Sequence, residues 1–148
     1  ACRAYSAPGR KECSALNDVD ILKLAVTAVG QVLEGHWVAD HLPPADLLDE
    51  QLPAVVIDLL PGSEVVPWGG DTGEQISDLI AFDVEVVGES RAQCTPVADR
   101  VRAALHQLPH IDGSGVKSVD CPRFSTREDI NPQLRVLGAT VDLMVMAP

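Results

Sequence analysis

Aromatic residues are scarce in this chain: Phe, Trp and Tyr together make up 3% of its 148 residues. A core built almost without them must be aliphatic, and the 46% of hydrophobic residues can supply one such core in a single domain of this length. The scarcity also argues against a protein that binds nucleic acid by stacking bases on exposed aromatic rings.

Basic residues are missing from a long central interval. No Lys or Arg lies between Lys23 and Arg91, and this interval holds thirteen carboxylates, from Glu34 to Glu89. The whole chain has a formal net charge of −11, which repels nucleic-acid phosphates and anionic membranes. Two interpretations of the asymmetry stay open: a solvated acidic surface, or an acidic face and a basic face that meet across a subunit boundary.

The chain also lacks the marks of a membrane protein or a disulfide scaffold. No apolar run approaches the roughly 20 residues of a bilayer span, and the N-terminal residues lack the apolar segment of a signal peptide. We therefore expect a soluble protein. Cys94 and Cys121 are expected to pack as small apolar residues in a helix and a strand. Cys2 and Cys13 flank a short segment, and their pairing is left open.

No residue pattern typical of catalysis or cofactor binding is found. A G-x-S-x-G elbow is absent, and no Cys stands beside a His in a suggestive setting. His106 and His110 have the spacing of helical zinc ligands, but Pro109 breaks the helix between them. The segment WGGDTGE joins two predicted strands and contains no Lys or Arg, unlike a phosphate-binding loop. We expect no enzyme activity, no metal site and no cofactor.

Apolar periodicity predicts two helices and four strands after an N-terminal arm. The arm is residues 1–16, and 17–148 form a single domain. The predicted helices cover about 18–34 and 91–108, with Ser90 as the cap of the second and a possible short helical turn at 45–50. The predicted strands are Leu52–Leu60, ended by Pro61-Gly62, then Asp78–Gly88, Val116–Cys121 and Arg135–Met146. Long loops at 61–77 and 122–134 connect them.

This order, α-β-β-α-β-β, favours an α+β fold with a four-stranded, mostly antiparallel sheet and both helices packed on one face. The other face would carry polar residues: Asp58, Asp83, Glu85, Thr140 and Asp142. It is too polar to be a second core, so water, a partner or a lumen must solvate it. Trp68, in the first long loop, either folds back over the edge of the core or anchors an interface.

Four segments, in this order and spacing, resemble the tail terminator proteins of long-tailed bacteriophages (siphoviruses), particularly those of phages that infect actinobacteria. The segments are LPAVVIDLLPG, then Trp68-Gly69-Gly70-Asp71, then FDVEVVGESRAQCTPVADRVRAAL, and finally CPRFSTREDINPQLRVLGATVDLMV. The resemblance covers about 17–146. The second and fourth predicted strands and the helix between them also resemble those of other small phage head–tail connector proteins.

The resemblance implies a structural virion protein assembled in the host cytoplasm. Copies of the chain would form a ring, a hexamer in this family, at the head-proximal end of the tail tube. The ring would end polymerisation of the major tail tube protein and provide a docking surface for the head-closure protein, while DNA passes through without specific binding. Alternatives are another connector, such as a head-closure or adaptor protein, or a small ligand-binding α+β domain.

Two sets of residues are predicted to carry this role. A head-to-tail ring needs two different surfaces, so we expect Arg123, Arg127 and Arg135 of one subunit to face the acidic region 46–89 of the next. The full predicted interface is Trp68, Asp71, Glu74, Arg123, Arg127, Asp129 and Arg135. The residues predicted to face the lumen, where they would repel DNA phosphates, are Asp58, Asp83, Glu85 and Asp142.

Overall fold

In the computed structural model of this protein, residues 18–65, 77–128 and 131–146 are described. The helices in these ranges are α1 (Asp18–Val32), α2 (Leu48–Gln51) and α3 (Arg91–His106), and a 3-10 turn follows α3 at Leu108–His110. The strands are β1 (Trp37–Ala39), β2 (Ala54–Val65), β3 (Ser77–Gly88), β4 (Val116–Asp120), β5 (Ser125–Arg127) and β6 (Arg135–Met146).

The strands form one sheet with β3 and β6 near its centre. The order across the sheet is β1-β2-β3-β6-β4, and β5 pairs with β6 on the side that β4 occupies. β1 runs parallel to β2, and the remaining pairs are antiparallel. The class is therefore α+β and mostly antiparallel as predicted, but the prediction of four strands was wrong. β1 and β5 have three residues each, too few to show an apolar alternation in the sequence.

α1 and α3 pack on one face of the sheet, which we call the core face. Apolar residues at helical spacing on the two helices meet the alternate residues of the strands. The largest buried side chains of this core are Ile21, Leu33, Ile57, Phe82, Leu105, Leu108 and Leu143. α1 ends close to its predicted end, and Gly35 follows with a φ of 86°, the left-handed conformation that commonly closes a helix.

The start of α3 confirms the predicted cap. The Ser90 hydroxyl accepts the backbone N–H of Gln93 at 3.1 Å, and the Gln93 side-chain oxygen accepts the N–H of Glu89 at 2.6 Å. These reciprocal bonds satisfy donors that a helix start leaves without partners. α3 ends at His106, and Pro109 lies in the 3-10 turn that follows it.

β2 is longer than predicted, because Pro61-Gly62 does not end it. The strand continues to Val65, with a shift of register against β3 between Leu60 and Ser63. Among the described strands, only β3 pairs with this part of β2, since β1 reaches no further than Val56. A proline at a free strand edge removes no ladder bond, which explains why the strand tolerates Pro61. The second predicted loop, 122–134, contains β5.

The opposite face of the sheet, here called the outer face, is less uniformly polar than predicted. Val87, Leu134 and Val136 form a small buried cluster at one end of it, and Leu48 and Leu52 pack against them. α2 therefore lies on the outer face, while the two longer helices cover the core face. The α2 segment was predicted only as a possible turn of helix, because four residues carry too little periodicity for a firm assignment.

Candidate interaction surface

The side chain of Arg127 crosses the outer face from β5 to β3. The Nη1 atom of Arg127 donates to Asp83 Oδ1 at 2.7 Å and to Glu85 Oε2 at 3.1 Å. β6 lies between β5 and β3 in the sheet, so the arginine side chain spans a whole strand. We call this arrangement the Arg127 clamp. It connects two residues of one strand to a residue more than forty positions away in the sequence.

The clamp depends on a glycine in the strand that it crosses. Gly138 of β6 lies opposite Glu85 on one side and Ser125 on the other. A Cβ atom at Gly138 would lie 2.6 Å from Nε of Arg127 and 2.7 Å from its Cδ and Cζ. Real Cβ contacts do not come this close, so any side chain at position 138 would force the guanidinium to move. Glycine inside a strand often marks such a close approach.

Electrostatic attraction stabilises the charged form of Arg127 in the clamp. Burial opposes the charge of Arg127, but hydrogen bonds and Coulombic attraction from Asp83 and Glu85 outweigh it and raise the pKa of the guanidinium. The three side chains are 29%, 31% and 34% exposed. At this exposure solvent screens each pair, and we expect the clamp to contribute on the order of 1 kcal/mol to stability. Its main effect is to fix β5 in place.

A second contact fixes β5 from the core side. Arg91 Nη1, in the first turn of α3, donates to the Thr126 hydroxyl at a long 3.5 Å. Nearby, Arg102 Nε donates to the Cys121 carbonyl oxygen at 2.9 Å. The segment between β4 and β6 is therefore held to the helix layer as well as to the sheet.

The four residues predicted to face a lumen share the outer face. Asp58 of β2 lies directly opposite Asp83 of β3, and Glu85 follows Asp83 on the same face of β3. Asp142 of β6 lies opposite Ala81, which comes two residues before Asp83 on β3. The Asp58 carboxylate accepts the N–H of Leu59 at 2.9 Å. The sequence prediction thus placed these carboxylates together correctly, although two of them, Asp83 and Glu85, share an ion pair with Arg127. That the face borders a lumen stays a prediction.

One pair of carboxylates on this face lies on two neighbouring strands, β4 and β6. Asp120 of β4 and Asp142 of β6 are directly opposite each other, and both are exposed. Like charges in this position repel each other. A positive charge from outside the chain would relieve the repulsion.

The end of the outer face away from α2 is apolar. Leu60, Leu79, Ala81 and Met144 are half-buried neighbours on β2, β3 and β6, and Met146 is 61% exposed. We call these five residues the apolar patch. Asp142 lies on the same face of β6, two residues before Met144, so the patch has carboxylates at its border. An apolar centre with a charged rim is the composition of many protein interfaces.

The residues predicted to form a subunit interface are only partly placed. Arg123 is exposed. Arg135 is exposed as well, and its Nη1 donates to the carbonyl oxygens of Pro132 at 3.0 Å and Leu134 at 3.2 Å. Arg127 has its partners within the chain, as described above. Trp68, Asp71, Glu74 and Asp129 lie outside the described residues. Cross-subunit pairing by these residues stays a prediction.

Gly138 is the residue that the sequence reasoning missed. It stands inside an alternating strand, where glycine weakens packing without an evident reason. That position was a usable signal, but nothing in the sequence connected it with an arginine eleven residues earlier.

The described histidines and cysteines lie apart from the clamp. Cys94 and Cys121 are buried free thiols, and burial raises the pKa of both, that of Cys121 to about 11. His41 contacts Asp40 at 2.8 Å, and its ring meets Trp37 edge-on, while His106 is exposed at the end of α3. Within the described ranges, no three His, Cys, Asp or Glu side chains are placed to hold a metal ion. No described helix is long and apolar enough to cross a bilayer.

Comparison with solved structures informs the fold of this chain. No family model matches the chain, and no curated protein matches it. Among solved structures, a chain from the "Virion of native gene transfer agent (GTA) particle" is similar, with a TM-score of 0.57 and 15% sequence identity. The alignment covers 85% of this chain and 92% of that one. The two chains therefore share nearly their whole fold.

Proposed function

We propose that this protein is a structural component of a phage-like virion, and specifically the tail terminator at the head–tail junction. The similarity to a chain of a gene transfer agent virion carries the proposal, because it extends over almost the full length of both chains. The tail terminator assignment rests on the order and spacing of the sequence segments described above. The proposed role is structural, with no catalytic step.

The surface of the chain fits a subunit of a ring. Head-to-tail assembly requires two different surfaces on each subunit. The chain offers an outer face rich in carboxylates and, on the opposite side of the sheet, a layer formed by α1 and α3 that exposes Lys23, Arg91 and Arg100. The partners under this proposal are further copies of the chain, the tail tube protein and a head-closure protein.

The test is to measure the mass of the purified protein by light scattering, alone and with tail tubes isolated from the virion that carries it. We expect a ring of about six copies, formed in solution or only on tube ends, and electron microscopy should show it at one end of each tube. A strict monomer or dimer that ignores tube ends would contradict the terminator role. If labelling of this protein locates it at the portal side of the head–tail junction, the result would favour a head-closure or adaptor protein instead.

A further inference from the structure

Two features on opposite sides of the molecule have complementary chemistry. The first is the apolar patch on the outer face, whose exposed Met146 lies at the end of β6. Beside it, the exposed carboxylates of Asp120 and Asp142 face each other across β4 and β6. A surface of this kind fits a partner with an apolar side chain next to a positive charge.

Such a pair of groups lies on the helix layer. Val32, the last residue of α1, is 43% exposed although it is a large hydrophobic residue. Arg100 of α3 is exposed, and its Nη2 donates to the Val32 carbonyl oxygen at 2.6 Å. This bond keeps the guanidinium beside the valine. We call the two residues the Val32–Arg100 knob.

We infer that the apolar patch of one copy of this chain receives the Val32–Arg100 knob of a second copy. Val32 packs against Met144 and Met146, and the Arg100 guanidinium meets the Asp142 carboxylate. The inference deepens the proposed function, on which it rests, by naming the two surfaces that join neighbouring subunits.

The occupant is a second copy because the same chain supplies both halves of the contact. The patch faces away from the helices, and the knob is part of the helix layer. The patch and the knob of one subunit therefore cannot contact each other. Two different surfaces on opposite sides give a head-to-tail contact, which closes into a ring when the rotation between copies allows it. Apolar burial supplies most of the affinity in such contacts, while the ion pair sets orientation.

This contact differs from the sequence prediction, which gave the basic side to Arg123, Arg127 and Arg135. The Arg127 clamp occupies that side chain within its own subunit. Arg100 was not predicted, because its position next to Val32 depends on the packing of α3 against α1 and leaves no mark in the sequence.

The ion pair between Arg100 and Asp142 is tested by reversing the two charges. We expect Arg100→Glu to weaken association of the copies about tenfold, measured by sedimentation over a concentration series and on tube ends. In the double variant Arg100→Glu with Asp142→Arg, every copy carries the ion pair with its charges reversed. This variant should recover most of the association that Arg100→Glu loses. Arg100→Lys is the matched control, because it keeps a positive charge at the same position of α3 and should assemble normally.

The apolar half is tested by Val32→Asp and Met146→Asp. Both side chains are exposed, so the subunit should keep its circular dichroism spectrum and its unfolding midpoint. Each substitution should weaken association by at least about tenfold. Val32→Leu, which keeps the knob apolar, should assemble normally.

The outcomes separate this inference from the proposed function. If the native chain assembles and binds tube ends, but the aspartate variants assemble equally well and Asp142→Arg rescues nothing, the contact is wrong while the proposed function stands. That result would instead fit an outer face that borders a channel. If the native chain never assembles with itself or with tubes, both are overturned.

Discussion

The guanidinium of Arg127 occupies the space that a side chain at Gly138 would fill. The two residues lie on neighbouring strands, β5 and β6, and a Cβ at Gly138 would lie 2.6 Å from the arginine Nε. Glycine at this position is therefore what allows the arginine to reach Asp83 and Glu85 on the next strand. The position of the arginine side chain therefore depends on the absence of a side chain at Gly138.

Gly138→Ala should release the clamp. The added methyl group forces the guanidinium away, and we expect a loss of about 1–2 kcal/mol in the free energy of unfolding. In an Arg127→Ala background the same change should cost less than about 0.5 kcal/mol, because nothing remains to be displaced. Urea unfolding of the native chain, the two single variants and the double variant measures the difference between these two costs. Thr140→Ala, exposed and two residues along β6, is the control, and equal costs in both backgrounds would refute the coupling.

Loss of the cap should destabilise α3. Ser90→Ala removes the hydroxyl that accepts the Gln93 N–H, and we expect a loss of about 1 kcal/mol in thermal or denaturant unfolding. Ser90→Asp keeps an acceptor at the same place and should retain most of that stability. A destabilisation as large as that of the alanine variant would show that the hydrogen bond contributes little.

Ionisation of a buried thiol should limit stability at alkaline pH. Burial raises the pKa of Cys121 from 9.0 to about 11, so the unfolded chain loses this proton at a lower pH than the native chain. The stabilisation is complete below pH 9 and is lost as the pH rises through about 11. We expect the free energy of unfolding to fall by up to about 2–3 kcal/mol over this interval.

Cys121→Ala isolates this contribution. The variant lowers stability at every pH because it leaves a small void, but its stability should fall less steeply between pH 9 and pH 11 than that of the native chain. Parallel pH profiles for the two proteins would contradict the assignment to Cys121.

The core should depend strongly on the buried ring of Phe82. Phe82 is fully buried on β3, opposite Leu59 and Val141. Phe82→Ala should cost about 3–5 kcal/mol, whereas Phe82→Leu, which keeps most of the volume, should cost less than about 2 kcal/mol. Chemical unfolding monitored by circular dichroism distinguishes the two. A small effect of the alanine variant would mean that the aliphatic neighbours can close the void.

The sequence predicted the long elements well because each shows a full apolar period. β6 has the predicted bounds, β3 begins one residue earlier than predicted, and Ser90 caps α3 as expected. The three-residue strands escaped detection because pairing with a longer neighbour forms them, β1 on β2 and β5 on β6. Their own sequences do not specify them.

The site was less accessible to sequence reasoning than the fold. Strand alternation was enough to place Asp58, Asp83, Glu85 and Asp142 on one face. It was not enough to find the Arg127 clamp, since that contact depends on the unpredicted β5 and on a glycine in a third strand. A contact between strands distant in sequence follows from the register of the sheet, which the apolar pattern of one strand does not define.

The free edge of β2 has a consequence for aggregation. β1 covers only the first three residues of this twelve-residue strand, and an uncovered strand edge can template fibril growth. Here the Asp58 carboxylate already accepts the Leu59 N–H, and Pro61 has no N–H to offer. A foreign strand would therefore meet a charged side chain and a missing donor within four residues. No described strand covers the free edge of this part of β2, and we expect Asp58 and Pro61 to make this edge a poor template for a further strand.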